Sequence, residues 1–402
     1  MPGVALRYGR PALAPLSGVR VADFTRIVAG PYCAMILADL GAEVLKIERP
    51  GAGDDARHFG PPFLPGGDSA YFMAFNRSKK SVVLDLASEE GRRDASDLVR
   101  TCDVVVENFR RGYMESVGLD HETLSRDHPG LISCSISSYG ETGPYRDHGG
   151  YDVMVSALGG MMSINGTPDQ PPAKTGVAVL DAASGLYAVS GILAALRERD
   201  RTGLGQKVDV SLLGVQLAQL LNAATAWLLA GEVMERQGTA HPSIVPYQAF
   251  AAADGWVLVG GANDRLYQRI CGAMGRPDLA DDPRFRTNAD RVAHREELLA
   301  ILSELFLQQP VSEWVARLNE AGVPVAPVNR IDQVFEDPQV RHLGQVQEVQ
   351  HPAAGLLRLV GSPLHLSRTP VEPPTPPPCL GQHTEEVLSE VRARRQADAD
   401  RG

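Results

Sequence analysis

The sequence predicts an α/β protein with a doubly wound parallel sheet in its larger part and a smaller α+β domain beside it. Three observations carry this. The chain opens on two β-like runs around a helical one, and further short buried runs then alternate with helical segments. Beyond residue 231 the style changes to a hairpin followed by several helices. Strands alternating with helices imply parallel pairing, because a parallel partner is reached only through a crossover.

The elements follow in order. Residues 19–23 alternate like a strand, 32–40 like a helix and 43–48 like a second strand. Residues 81–86, 103–107 and 131–137 read as further buried strands. A short β-like run, 177–180, ends on Asp181, and a helix of small residues begins at Ala182. Residues 211–231 carry leucines at helical spacing and read as one long helix. Residues 246–250 and 256–259 form a hairpin around Asp254-Gly255, followed by helices over 265–274, 295–307 and 311–321. Residues 344–365 return to short strands, 373–378 are an extended proline run, and 384–395 are a last helix. The domains predicted are 1–231, 244–329 and a C-terminal segment 330–402 that returns to the large domain.

Composition narrows the function classes. The chain has 402 residues, 44% hydrophobic and 22% charged, with a net charge of −10 and a pI near 5.5. That balance argues against nucleic acid or an anionic membrane as partner, though local basic clusters can hold a small phosphorylated ligand. No apolar run is expected to reach membrane-spanning length. Residues 1–15, with Arg7 and Arg10, read as a short irregular leader without the apolar stretch of a secretory signal. Five cysteines, scattered without a CxxC, suit a reduced cytoplasmic protein. No HExxH or Cys/His spacing signals a metal. The first turn, residues 25–31, lacks GxGxxG, and neither a Walker-type loop nor a GxSxG elbow occurs, so dehydrogenase, NTPase and serine hydrolase readings lose ground.

Asp181 is the candidate nucleophile. A carboxylate at a strand's C-terminal end, facing a helix N-terminus, is expected to stay ionised and to sit where open α/β folds bind ligands. By position alone a helix-capping role outweighs catalysis; the surrounding sequence reverses that order.

The surrounding segments are LSGVRVADF (16–24), AGP (29–31), LGAEVLKIE (40–48), Gly53-Asp54, NRSKKS (76–81), VENF (106–109), Gly150-Tyr151-Asp152 and GQHT (381–384). In this order and spacing they resemble the family III CoA-transferases, the CaiB/BaiF family, over residues 16–388. The resemblance implies a Rossmann-like large domain, an interlocked homodimer, and a CoA thioester as substrate with no prosthetic group and no metal. It places the nucleophile at Asp181, which would carry an acyl anhydride and then a CoA thioester. Cofactor contacts map onto Val28, Ala29, Arg49, Leu84, Asp85, Leu86, Ala87, Asn108, Phe109 and Arg110. Where many relatives have an arginine this chain has Ser116, so Arg111 is the expected substitute in the phosphate grip.

Phe59, Tyr71 and Tyr151 match positions lining the acyl site. α-Methylacyl-CoA racemases resemble the chain too, but pair a histidine with the equivalent of Asp181. Tyr151 stands in that histidine's place, and a phenol with pKa near ~10 is a poor base at neutral pH. His148 would be the substitute. A catalytically silent CoA-binding protein is a third reading, disfavoured because Asp181 and its helix are intact. The stretch GTAHPSIVPYQAF (238–250) resembles members that move CoA between dicarboxylic acids of the succinate and glutarate type. Its two prolines suggest a stiff cover and not a mobile flap. A dicarboxylate brings a second charge that must be paired, for which Arg26 and His241 are the candidates.

Overall fold

The computed structural model describes residues 13–399; the leader read over 1–15 lies, up to residue 12, outside the described residues. The chain divides into two compact units. The first comprises residues 1–161, 175–225 and 344–402, and the second residues 162–174 and 226–343. Residues 330–343, read from sequence with the returning tail, group with the second unit.

The first unit is built on a six-stranded sheet, β1 (Arg20–Asp23), β2 (Glu43–Glu48), β3 (Lys79–Val83), β4 (Val104–Glu107), β5 (Ile132–Ser137) and β6 (Lys207–Ser211). Its order is β3-β2-β1-β4-β5-β6, and every neighbouring pair is parallel. Alternate strand residues feed a core on each face: Val21, Val104 and Val106 on one, Ala22 and Val105 on the other. The order reverses between β1 and β4, the place where such sheets open a crevice beyond the strand ends.

Three local readings change. Residues 177–180 are not a strand. The sheet's last place is filled by β6, which its exposed edge residues kept out of the sequence reading. The β3 strand ends at Val83, and Leu84 to Ala87 form a turn in which the Asp85 carboxylate accepts the Ala87 N–H at 3.0 Å. The run 211–231 is two helices, Leu212–Gln219 and Leu221–Ala230, broken where Leu221 takes φ 48°.

Helix α1 (Ala29–Asp39) follows β1, and α2 (Asp152–Leu158), α3 (Val179–Thr202) and α4 (Leu212–Gln219) complete the site region. Contrary to expectation, α3 has the length and hydropathy, 1.7, of a membrane span. Half of that window is buried, against α1, β5 and β6, so it serves as a core helix. Its small residues allow the close fit. A Cβ on Gly185 would come 2.7 Å from the Ala29 carbonyl oxygen, so this face of α3 must stay bare for α1 to approach.

The second unit is an antiparallel sheet in the order β7-β8-β9 (Tyr247–Ala251, Trp256–Gly260, Val325–Pro327). Helices Asp264–Ala273, Arg295–Phe306 and Val311–Glu320 close a core around Val257, Tyr267, Phe306 and Trp314. The loop before β7 is held by side chains of the second unit. Asn288 binds the Val245 N–H at 3.2 Å and donates to the Ser243 carbonyl at 2.9 Å. Arg291 donates to the Val245 carbonyl at 2.6 Å, and Arg295 to the Pro242 carbonyl at 2.7 Å.

Beneath the crevice of the first unit lies a buried ionic cluster. Lys46 Nζ is 2.8 Å from Asp54 Oδ2 and donates to the Thr25 carbonyl at 3.0 Å. Lys79 Nζ donates to Asp23 Oδ2 and to the Pro31 carbonyl, both at 2.9 Å. Asp54 Oδ1 accepts the Ile27 N–H at 3.1 Å. Each charge is out of water and each is matched, which is the condition for burying it at all. Burial is the largest influence on both aspartates, but Lys79 and Lys46 hold Asp23, and Lys46 holds Asp54, below the usual carboxylate range.

Removing one partner leaves the other charge buried and alone. Asp54→Ala should therefore cost roughly 3–5 kcal/mol of unfolding free energy, read as a lowered urea midpoint. A loss below ~1 kcal/mol would mean that these charges do not depend on one another as described.

Candidate active site

The turn from Thr25 to Pro31 is held from below by this cluster, and its upper side forms one wall of a cavity of about 660 Å³. Ile27 sits at φ 71°, a left-handed conformation that an isoleucine adopts only when its surroundings impose it; the Asp54 bond to its N–H supplies the constraint. Val28 is the N-cap of α1 and offers no side-chain cap, so the first N–H groups of α1 have no capping oxygen at the cavity edge. A Cβ at Gly30 would meet Thr25 Cβ at 2.2 Å. The missing Cβ leaves room for the Thr25 side chain against the start of α1.

The facing wall comes from the turn after β4. Asn108 locks the two turns together: its Oδ1 accepts the Arg26 N–H and its Nδ2 donates to the Arg26 carbonyl, both at 2.9 Å. Both ends of that amide are engaged, so Asn108 acts as a brace. The Arg26 guanidinium lies 4.9 Å from the Phe109 ring centre and 3.9 Å from Asp55. Arg110 and Arg111 continue the same wall, and the loop after β5 closes it with Tyr139, Arg146, His148 and Tyr151. Arg111 from the β4 turn and Arg146 from that loop share Asp147, at 3.5 and 3.3 Å, and His148 stacks on Tyr145.

Asp181 reaches the same cavity, but its setting differs from the one the sequence suggests. It is the third residue of α3, within the first turn and not ahead of it. The capping role belongs to Asp152, whose Oδ2 accepts the N–H groups of Leu180 at 2.9 Å and Asp181 at 3.3 Å. Those helix donors are therefore spent on Asp152 and cannot hold the Asp181 carboxylate ionised. Burial first, and the neighbouring Asp152 charge second, push the Asp181 carboxyl up to about 7. The expectation of a carboxylate held ionised by the helix end is thus reversed. A carboxyl raised in this way is more basic once ionised, which suits a nucleophile. Tyr71 lies close enough that, after burial, the Asp181 and Asp152 charges raise its phenol; its ring packs edge-on against Phe59 at 5.6 Å.

The other sequence-predicted residues lie outside the cavity, some along the same sheet edge and one in the second unit. Arg49 and the turn Leu84 to Ala87 follow β2 and β3 and do not line the cavity. Arg49 is paired with Asp55, and the Leu86 and Ala87 carbonyls accept bonds from Arg92. Ser116 donates to the Tyr113 carbonyl at 2.7 Å. His241 belongs to the second unit, where its Nδ1 accepts the Ser243 N–H at 3.1 Å. Sequence reasoning missed Tyr139 and Arg146, which carry no motif; their one signal is that they follow a strand ending at the same edge. Among the described residues no group of three or more His, Cys, Asp or Glu is placed to hold a metal ion.

The family model for CoA-transferase family III matches residues 16–384. A succinyl-CoA:glutarate CoA-transferase of Mus musculus is 42% identical over 394 residues, spanning 97% of this chain and 90% of the relative. A succinate–glutarate CoA-transferase of Agrobacterium fabrum is 42% identical over 382 residues, 94% of this chain and 96% of the relative. The crystal structure of a CaiB/BaiF family protein from Brucella suis superimposes with a TM-score of 0.88 at 40% identity. It covers 94% of this chain and all of that one (100%).

The raised Asp181 carboxyl has a stability consequence. A carboxyl near 7 in the folded chain, against 3.8 for an unperturbed aspartate, costs nothing below about pH 4 and progressively more up to pH 7. Asp181→Asn should therefore unfold at higher denaturant than the parent at pH 8. The gain is roughly 1–2 kcal/mol once the partly exposed position is discounted for solvent screening, and it should vanish at pH 4. A gain independent of pH would place its origin elsewhere.

Proposed function

The chain belongs to CoA-transferase family III, and on that premise we propose that Asp181 is its covalent nucleophile, with succinyl-CoA as donor and a short dicarboxylic acid as acceptor. The observation that carries the reading is a basic, uncapped carboxyl in the crevice at the sheet's reversal point. The carboxylate attacks the thioester carbonyl; the C–S bond breaks, giving an aspartyl anhydride and CoA thiolate. The thiolate attacks the aspartyl carbonyl of the anhydride and releases the donor acid, leaving CoA on Asp181 as a thioester. The acceptor carboxylate then takes the same steps in reverse. Activation is conserved throughout, so water must be kept from the anhydride.

Electrostatics supports the placement of CoA in this cavity. Arg26, Arg110, Arg111 and Arg146 all face it, and planar guanidinium groups suit phosphate and carboxylate alike. The uncapped start of α1 adds backbone donors. Arg49 and the Leu84 to Ala87 turn follow β2 and β3, farther along the same edge of the sheet. Arg26 is assigned to the distal acceptor carboxylate because it joins the two walls and, among the described residues, carries one long ion pair, at 3.9 Å. The names of the relatives support the choice of dicarboxylates.

A homodimer belongs to the same proposal. Its support is that α2, α3 and α4 carry Leu158, Leu186, Tyr187 and Leu217, each at least half exposed, as apolar surface that a partner could cover. A cytoplasmic location is proposed as well, supported by five cysteines that are all free thiols.

Incubation with succinyl-CoA and hydroxylamine, followed by peptide mass spectrometry, should yield a hydroxamate on Asp181. An intact, unlabelled peptide from a turning-over enzyme would refute the covalent route. Arg26→Ala should lower kcat/KM for dicarboxylate acceptors by about tenfold to a hundredfold, the worth of one charge-assisted pair of ~1.5–3 kcal/mol. It should leave monocarboxylates within threefold, and an equal loss for both classes would remove Arg26 from the acceptor site.

A further inference from the structure

One half-buried carboxyl beside the cavity has no part in this chemistry. Glu107 is the last residue of β4, at the sheet's reversal point. Its side chain turns back on its own strand exit: Oε2 accepts the Phe109 N–H at 2.8 Å, and Oε1 accepts the Ser135 hydroxyl from β5. The turn it grips is the cavity wall. Phe109 carries the Arg26 guanidinium, and Asn108 braces the Arg26 backbone. Glu107 thus fixes both ligand-facing turns without facing the reacting carboxyl.

Glu107 opens instead on a second cavity of about 280 Å³ on the other side of the turn, which gives it a route to solvent protons. The charged and titratable groups around that cavity are Glu141 beyond β5, Cys134 on β5, Lys207 on β6, Arg110 and Arg111 in the adjoining turn, Glu115, Asp120 and Glu122 after it, and His121 bonded to Ser133. Glu141 Oε1 is 3.4 Å from the Ser135 hydroxyl, and Lys207 is partly neutralised by Asp209 at 3.0 Å.

Resting on the CoA reading of the main cavity, we propose that Glu107 is a positioning residue whose ionised form holds the Asn108–Arg110 turn in its CoA-binding shape, making CoA affinity, and not the chemical step, fall with acidification. The ionised group accepts both the Phe109 N–H and the Ser135 hydroxyl. Protonation converts one oxygen to a donor and removes the charge that strengthens the Phe109 bond. Burial, opposed by the Ser135 and Phe109 bonds and helped by the Glu141 charge, sets this carboxyl at about 7, so the switch falls in the range a cell traverses.

The test uses the full-length Asp181→Asn protein, which removes the other titration, and desulfo-CoA, which cannot react. Its Kd, by calorimetry, should rise between pH 8 and pH 6. Adding Glu107→Gln, which mimics the protonated group in shape, should weaken binding about fivefold to tenfold at pH 8. It should also flatten the pH dependence to what the ligand's own phosphate contributes. Ser135→Ala, in place of Glu107→Gln, removes a donor that favours the ionised form and should move the midpoint of weakening to higher pH. In the otherwise native enzyme Glu107→Gln should raise KM for succinyl-CoA and leave kcat within twofold. Equal Kd with and without Glu107→Gln, or an unchanged pH response, overturns this proposal alone. Absence of saturable desulfo-CoA binding to Asp181→Asn at any pH overturns the CoA reading of the cavity with it.

Discussion

The buried pairing of Lys46 with Asp54, and of Lys79 with Asp23, is the constraint on which the rest of the site depends. It lies under the turn after β1, and its members also hold backbone atoms of that turn or of α1: Thr25 and Pro31 carbonyls, the Ile27 N–H. A loop alone would not keep an isoleucine left-handed. A matched set of buried charges does, because any movement of the turn would expose a charge to a low-dielectric surrounding without its partner. The turn is then a fixed surface against which a second turn, from β4, can be braced by Asn108.

The two aspartates at the start of α3 divide a labour that a single residue cannot perform. A helix N-terminus offers donors that stabilise a carboxylate, and a carboxylate so stabilised is a weak nucleophile. Asp152 takes the donors, and Asp181 is left with burial and a like charge. The result is a capped helix and a basic carboxyl side by side. Gly185, one turn further on, keeps α3 tight on the start of α1, so the Asp181 carboxyl and the turn after β1 are set by one contact between helices.

Much of this was legible in the chain. The strands β1 and β2 follow from alternation, β4 and β5 from short buried runs between helical segments, and the antiparallel unit follows from its Asp-Gly hairpin and strongly periodic helices. Short motifs in a shared order carry the family. What was not legible has a common cause. The strand β6 is an edge strand with one exposed face, so its apolar signal is weak. The run 177–180 has strand-forming residues, yet a carboxylate from Asp152, far away in the sequence, starts a helix inside it. Tyr139 and Arg146 enter the site only because β5 ends beside β4.

The sequence by itself determined most of the elements and the layering of helices on a parallel sheet, and it singled out Asp181 as a candidate. Those depend on residue periodicity and on contiguous motifs, which are local. Tertiary structure alone decided how Asp181 is charged, which arginines share its cavity, and that Glu107 grips the opposite wall. A carboxyl's ionisation is fixed by the water it loses and by the charges brought near it, and both are supplied by parts of the chain that the sequence keeps far apart.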